Sequence, residues 1–306
     1  MVPVDALQLD ELLVPMAGRW AERDGRRRFT PSFAPIPGAE YAVARRAASG
    51  RWGAIAHAVV PLGPGTPSTT VTSIAPVVGE VPANLLRLRI SFSAPIAEGS
   101  AEGGIALLDE AGAELLGAML PMPPELWDRD RRELTVLLEP GRLKRGLRPH
   151  EEAGLPLAEG SVVTAMVAAS LRDATGMQLA SGASRSYRVG PPIRSRIDPA
   201  TWSIRWPDPE DRRLVVRFDR PLDDVLARRC IRFVDADDVT LPGRVEVDPT
   251  AMTWTHIADA AAPRGARLAI DTRLEDLAGN SLRRAFDTDF EEAGTRLDAR
   301  TVTLTP

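Results

Sequence analysis

Cysteine and histidine are almost missing from this sequence. Cys230 is the only cysteine, and His57, His150 and His256 are the only histidines in 306 residues. A lone cysteine excludes an intrachain disulfide, so redox chemistry does not fix the compartment. Structural zinc needs ligands grouped at short spacing, and neither C-x-x-C nor H-x-x-x-H occurs. Beside Ile231 in a strand-like run, Cys230 reads as a small buried apolar residue. His256 shares a strand face with Met252 and Trp254 and reads as a core-edge histidine, while His150 falls in a polar stretch and reads as solvated.

Lysine is equally scarce: Lys144 is the only one, although Lys and Arg together number 38. Acidic and basic residues are interspersed and the formal net charge is −4, so no basic face for nucleic acid is expected. No run approaches the ~20 apolar residues of a membrane-spanning helix. The start, "MVPVDALQLDELLVPM", has acids where a signal peptide needs a basic segment and an apolar core. Two readings stay open there: the protein remains inside, or this is a mature form without its leader. Also missing are G-x-S-x-G, Walker and dinucleotide-binding patterns. Paired carboxylates occur at Glu151–Glu152 and Asp223–Asp224. Neighbours on a strand point to opposite faces, so such pairs do not by themselves form a glycosidase site. The expectation is no enzyme, no cofactor and no metal.

What is present is a repeat. "LRLRISFSAPI" (Leu86 to Ile96) is echoed by "RLVVRFDRPL" (Arg213 to Leu222), each with Pro three positions after Phe. "IALLDEAGAELLG" (Ile105 to Gly117) answers "IRFVDADDVTLPG" (Ile231 to Gly243), and "RRELTVLLEPGRL" (Arg131 to Leu143) answers "AMTWTHIADAAAPRGARL" (Ala251 to Leu268). Last, "RDATGMQL" (Arg172 to Leu179) matches "EDLAGNSL" (Glu275 to Leu282). Four landmarks in one order indicate a duplication.

The landmarks have the physics of strands and corners. Leu88, Ile90 and Phe92 alternate with Arg87, Arg89 and Ser91, the period-2 pattern of a half-buried strand. The following Pro cannot join a ladder and ends the strand. In "DLAGN", Gly279 and Asn280 tolerate left-handed backbone, so the run reads as a corner. Asp235, Asp237 and Asp238 offer hard oxygen ligands that calcium accepts. Without the Gly and distal Glu of an EF-hand loop, a solvated hairpin tip is the preferred reading. "PLDDVLARRC" (Pro221 to Cys230) is expected to form one or two helical turns.

A partial third copy runs from Gly18 to Val43 around a D-G turn. "PLGPGTPSTT" (Pro61 to Thr70) and "VGPPIRSRIDP" (Val189 to Pro199) read as linkers. The final "TVTLTP" resembles the opening strand of a unit and is expected to pair into a neighbouring unit, with the incomplete first one as candidate. Hence three divisions: 1–67, a partial or divergent N-terminal β unit; 68–192, a β-sandwich with a long insertion at about 117–160; and 193–306, a second β-sandwich.

The order "VVRFDRP", acidic hairpin, Pro/Gly-preceded strand and "LEDLAGNSL" resembles the bacterial Ig-like domains of the S-layer and cell-surface type. Residues Ile197 to Phe290 resemble them most closely. Val71 to Val189 keeps "FSAP" but has "DATGM" where Asn is expected, and the N-terminal unit matches only in its second half. The resemblance implies an all-β chain of tandem Ig-like β-sandwiches behind the smaller N-terminal unit. It also implies a periplasmic or extracellular, cell-surface location and a structural or interaction role. A protein partner or a cell-surface glycan is expected to be bound, and the resemblance transfers no catalytic residues.

Tryptophan is the most suggestive type for contacts, with 6 Trp against 2 Tyr. Trp127, in the insertion, and Trp206, opening the last unit, are candidate ligand contacts, as is Lys144 on the long loop. A carbohydrate-binding accessory module is therefore the alternative function.

Overall fold

The computed structural model describes residues 2–3, 15–36, 39–48, 52–60, 68–208, 210–287 and 299–306. Residues 4–14, in the acidic start, and 61–67, in the first linker, lie outside them. The chain is all-β, with its sheets packed as sandwiches.

The N-terminal part holds β1 (Val2–Pro3), β2 (Gly18–Arg23), β3 (Arg26–Pro31), β4 (Glu40–Arg46) and β5 (Trp52–Val59). β4 lies between β1 and β5, and β2–β3 is a separate hairpin turning at Asp24–Gly25. Little is buried here: Tyr41 and Ala42 are the core apolar residues before Ile74 among those described.

The next part holds β6 (Val71–Ala75), β7 (Glu80–Pro82), β8 (Arg87–Phe92), β9 (Ile105–Leu108), β10 (Leu126–Trp127), β11 (Glu133–Leu137), β12 (Val162–Val167) and β13 (Ala183–Gly190). They form two sheets, β10–β11–β8–β6 and β7–β13–β12–β9. The alternation read from "RLRISF" holds: Leu88, Ile90 and Phe92 face a core shared with Val163, Ala165 and Val167 of β12. Fully burying each large side chain contributes about 1.5–3 kcal/mol.

The last part holds β14 (Ser203–Arg205), β15 (Arg213–Arg217), β16 (Ile231–Val234), β17 (Gly243–Val247), β18 (Thr253–Ala258), β19 (Arg267–Asp271) and β20 (Thr301–Leu304). The sheet orders β17–β18–β15–β14 and β16–β19–β20 run parallel to those of the preceding part, as the duplicated landmarks require. Its core gathers Leu214, Val216, Phe218, Phe233, Trp254 and Leu268.

The described residues also form the α-helices α1 (Pro140–Leu143), α2 (Arg148–Ala153) and α3 (Asp224–Cys230), with a 3-10 turn at Pro199–Thr201. α3 is the helix expected in "PLDDVLARRC". Asp223 caps it by accepting from the Leu226 N–H, and Arg228 and Arg229 sit in its last turn, where the helix dipole favours cations.

Two expectations are corrected. β20 pairs, as expected, but not with the incomplete first unit: it joins β19 of the adjoining last part, Val302 opposite Ile270, and half-buries Val302 and Leu304 against that core. In "TVTLTP" the apolar residues alternate, so one face seals the nearest open sheet edge. His150 is half-buried rather than solvated, and its Nδ1 lies 2.5 Å from the Arg142 carbonyl. Arg142 explains why: its guanidinium donates to the carbonyls of Gly117, Ala153, Gly154 and Leu155, tying the two ends of the insertion together.

Candidate functional site

The acidic runs form one repeated corner. Asp109, Asp173, Asp235 and Asp276 each accept through Oδ1 from the N–H groups two and four residues on, at 2.8–3.1 Å. In each, the Asp N–H also donates to the carbonyl four residues later. The residue three positions on takes φ between 64° and 86°: Gly112, Gly176, Asp238 and Gly279. Short polar side chains and glycine tolerate that region, which is why this spacing recurs.

These carboxylates hold backbone. At the Asp235 hairpin, Asp238 is further paired with Arg267 at 2.9 Å. Among the described residues no group of three His, Cys, Asp or Glu side chains is placed to hold a metal ion.

Burial separates the two closing corners. Burial opposes ionisation at Asp173, but hydrogen bonds from the Thr175 and Thr69 hydroxyls and from the backbone of Thr175 and Met177 outweigh it and hold the carboxyl low. At Asp276, completely buried, desolvation wins and pushes the carboxyl up, against hydrogen bonds from Asn280, the nearby Arg220 and the Ala278 N–H.

The densest polar cluster is the joint between the two large β parts. Arg89 makes a bidentate pair with Asp223 at 2.7 and 2.6 Å, and Arg87 lies 3.3 Å from Asp223 while also bonding Glu275. The Arg89 and Asp223 side chains are only 11% and 4% exposed, so this is a buried pair whose remaining acceptor sites must be filled. The Leu226 N–H fills one. Burial is the largest influence on Arg87 and lowers its pKa despite nearby carboxylates; at Arg89 the bonds to Asp223 overcome burial and raise it.

Around this pair, the Leu86 N–H donates to the Leu277 carbonyl at 2.9 Å, and Leu277 and Phe286 pack on the preceding core. Asp287 accepts from the Arg145 N–H and side chain and pairs with Arg194. Beside the joint lies a cleft of about 210 Å³ between Pro76–Val78 and Val247–Ala251, with Arg87, Arg89 and Asp223 in its wall. The expected linker is thus fixed in place: Asn84 and Asn280 both hold Ile193.

The three sequence candidates do not meet in one place. Trp127 is half-buried, its ring 5.8 Å from Phe92 and its N–H donating to Glu125, which also accepts from Gly99 and Ala101. Trp206 packs beside Phe233 at 6.4 Å. Lys144 stands over the Phe286 ring at 4.9 Å, at the margin of the joint. The most exposed tryptophans are others: Trp20 at 52%, tilted against Phe29 with ring centroids 5.0 Å apart, and Trp52 at 39%. Strand alternation could have flagged Trp20, which has charged neighbours on both sides of the D-G hairpin. The joint residues carry no such local signal.

No protein-family model matches the chain, and no curated protein matches it. Among solved structures, the N-terminal part of the bacterial S-layer protein SbsC aligns over 68% of this chain at 11% identity with a TM-score of 0.28. A longer structure of that protein, rSbsC(31-844), aligns over the same share with a TM-score of 0.29. The aligned region spans 40% and 24% of those two chains. Native alpha-2-macroglobulin from Escherichia coli, domains MG0-NIE-MG1, aligns over 78% of this chain and 96% of its own at 12% identity, TM-score 0.27. Likeness at this level carries no inference about activity.

Proposed function

We propose that the chain is a non-catalytic structural or interaction module of a bacterial envelope or cell surface, exposed to the periplasm or the exterior. Its parts would be a divergent β unit at 1–67 and two Ig-like sandwiches at 68–192 and 193–306. The observation that supports this most is where the acidic groups go. The runs that in a hydrolase or calcium protein would face substrate or metal instead bind corner backbone, as at Asp173 and Asp276, or the joint, as at Asp223 and Glu275. A joint of buried ion pairs and side-chain amides suits a spacer that holds two sandwiches at a set angle. Immunolabelling of intact and permeabilised cells of the source organism tests the location. Signal confined to the soluble cytoplasmic fraction would refute it.

A second reading, glycan binding, is favoured by one observation: Trp20 and Phe29 present a tilted aromatic pair, ring centroids 5.0 Å apart, on an exposed hairpin. Glycan-array signal lost in Trp20→Ala would select it.

A further inference from the structure

The two sandwiches share a sheet face, but only one of the two copies is covered. On β8 the outward residues Arg87 and Arg89 are 21% and 11% exposed because Asp223 and Glu275 of the following unit close on them. Aligning Phe92 with Phe218 places Arg213 of β15 where Arg87 stands, and Val215 where Arg89 stands. On β15 that face is open. The Arg213 side chain is 59% exposed, Arg217 is exposed, and Arg217 has no ion-pair partner among the described residues. Val215 lies between them, half-buried, with Arg205 opposite it on β14 and Thr255 opposite it on β18.

We infer that this outer face of β15 is a docking surface for an acidic polypeptide segment, one presenting two carboxylates either side of a leucine-sized apolar residue. The occupant's chemistry is displayed inside the molecule. Where the same face of the preceding unit is filled, it receives Asp223 and Glu275 on its arginines, with Leu277 beside them in the core contact. The local charge points the same way. Asp211 engages Arg205, and Glu246 engages Arg244, each at 2.6–2.7 Å, so among the described residues Arg213 and Arg217 have no carboxylate partner beyond a distant 3.9 Å approach of Asp211 to Arg213. Arginines around an apolar centre are the composition from which interface hot spots are made.

This rests on the interaction-module reading and names its partner. Fluorescence anisotropy of a labelled Glu-Leu-Glu repeat peptide, titrated with the full chain at low salt, tests it. A Lys-Leu-Lys repeat peptide and sulfated dextran serve as comparators. Saturable binding to the acidic peptide is expected, weakening with added salt. It should fall by about tenfold or more when Arg213→Glu and Arg217→Glu are combined, a double charge reversal at an interface. Arg188→Glu, exposed on β13 of the other sandwich, should leave it unchanged. Both arginines being exposed, the double variant should keep the parent melting temperature. Absence of saturable binding, equal binding by the double variant, or preference for sulfated dextran overturns the assignment, as does sedimentation showing self-association lost in the double variant. Cells that label at the envelope while the peptide fails to bind would leave the structural reading standing without this surface.

Discussion

Asn84 and Asn280, one from each large sandwich, donate their side-chain amides to the same acceptor, the carbonyl of Ile193, at 2.7 and 3.0 Å. Asn84 also accepts from the Ile193 N–H, and Asn280 from the Phe286 N–H. Both asparagines are buried, so the chain between the sandwiches is bonded from both sides where a free linker would be solvated. Asn84→Ala leaves the Ile193 N–H without its acceptor while the carbonyl keeps Asn280, and orphaning that one donor costs about 1–3 kcal/mol. Urea unfolding should show a stability loss of that size, with the two sandwiches separating into two transitions. A single transition unchanged from the parent would contradict it.

The repeated corner gives a graded comparison. Asp276 is fully buried and bonds the Ala278 and Asn280 N–H groups, so Asp276→Ala is expected to cost about 3 kcal/mol by orphaning buried donors. Asp235 makes the same bonds at a solvent-facing hairpin, where water can replace it, and Asp235→Ala should cost about 1 kcal/mol. Thermal melts with and without calcium check both. Equal losses, or a melt raised by calcium, would be the opposing result.

Gly279 carries two constraints at once. Its φ is +79°, and a Cβ there would lie 2.5 Å from Leu86 Cδ2 in the packed joint. Gly112 has φ +80° with open space around it. Gly112→Ala should therefore cost about 1 kcal/mol from backbone strain alone. Gly279→Ala should cost about 2–4 kcal/mol, since overpacking is added. Chemical denaturation of the two variants separates strain from crowding.

His256 is expected to make the last sandwich acid-sensitive. Burial lowers its pKa most, while a hydrogen bond to the Leu241 carbonyl and the charge of Asp259 oppose that. The ring packs between Phe233 and Trp254, so the neutral form is the one the fold accepts. The unfolded chain titrates near ~6.5, so the contribution is complete above that pH and is lost as pH falls through the lower folded value. Stability followed by tryptophan fluorescence should drop as pH falls below about 6.5, and the drop should shrink in His256→Leu. A profile identical in both proteins would exclude His256 as its cause.

Much of this architecture was written locally. Alternation in "RLRISF" and "RLVVRF" gives the strands and their buried faces, because a pleated sheet sorts neighbours to opposite sides. The corners were readable because an Asp and the N–H groups it binds lie within four residues. The joint was not readable. Arg87 and Arg89 occupy outward positions that solvent usually fills, and their partners Asp223 and Glu275 look like any surface acids in one dimension. β20 was misplaced for the same reason: its alternation fixes that it pairs, but only the three-dimensional position of β19 fixes with what.

The rigidity of the joint is tested most directly by a distance between the two sandwiches. Spin labels at Glu159→Cys and Ala260→Cys, both exposed positions, can be read by double electron–electron resonance with the buried Cys230 left in place. The expected result is one narrow distance distribution, unchanged by moderate salt, that broadens when Arg89→Met and Asn280→Ala are combined. A broad distribution in the parent protein would show two sandwiches on a loose tether and contradict the spacer.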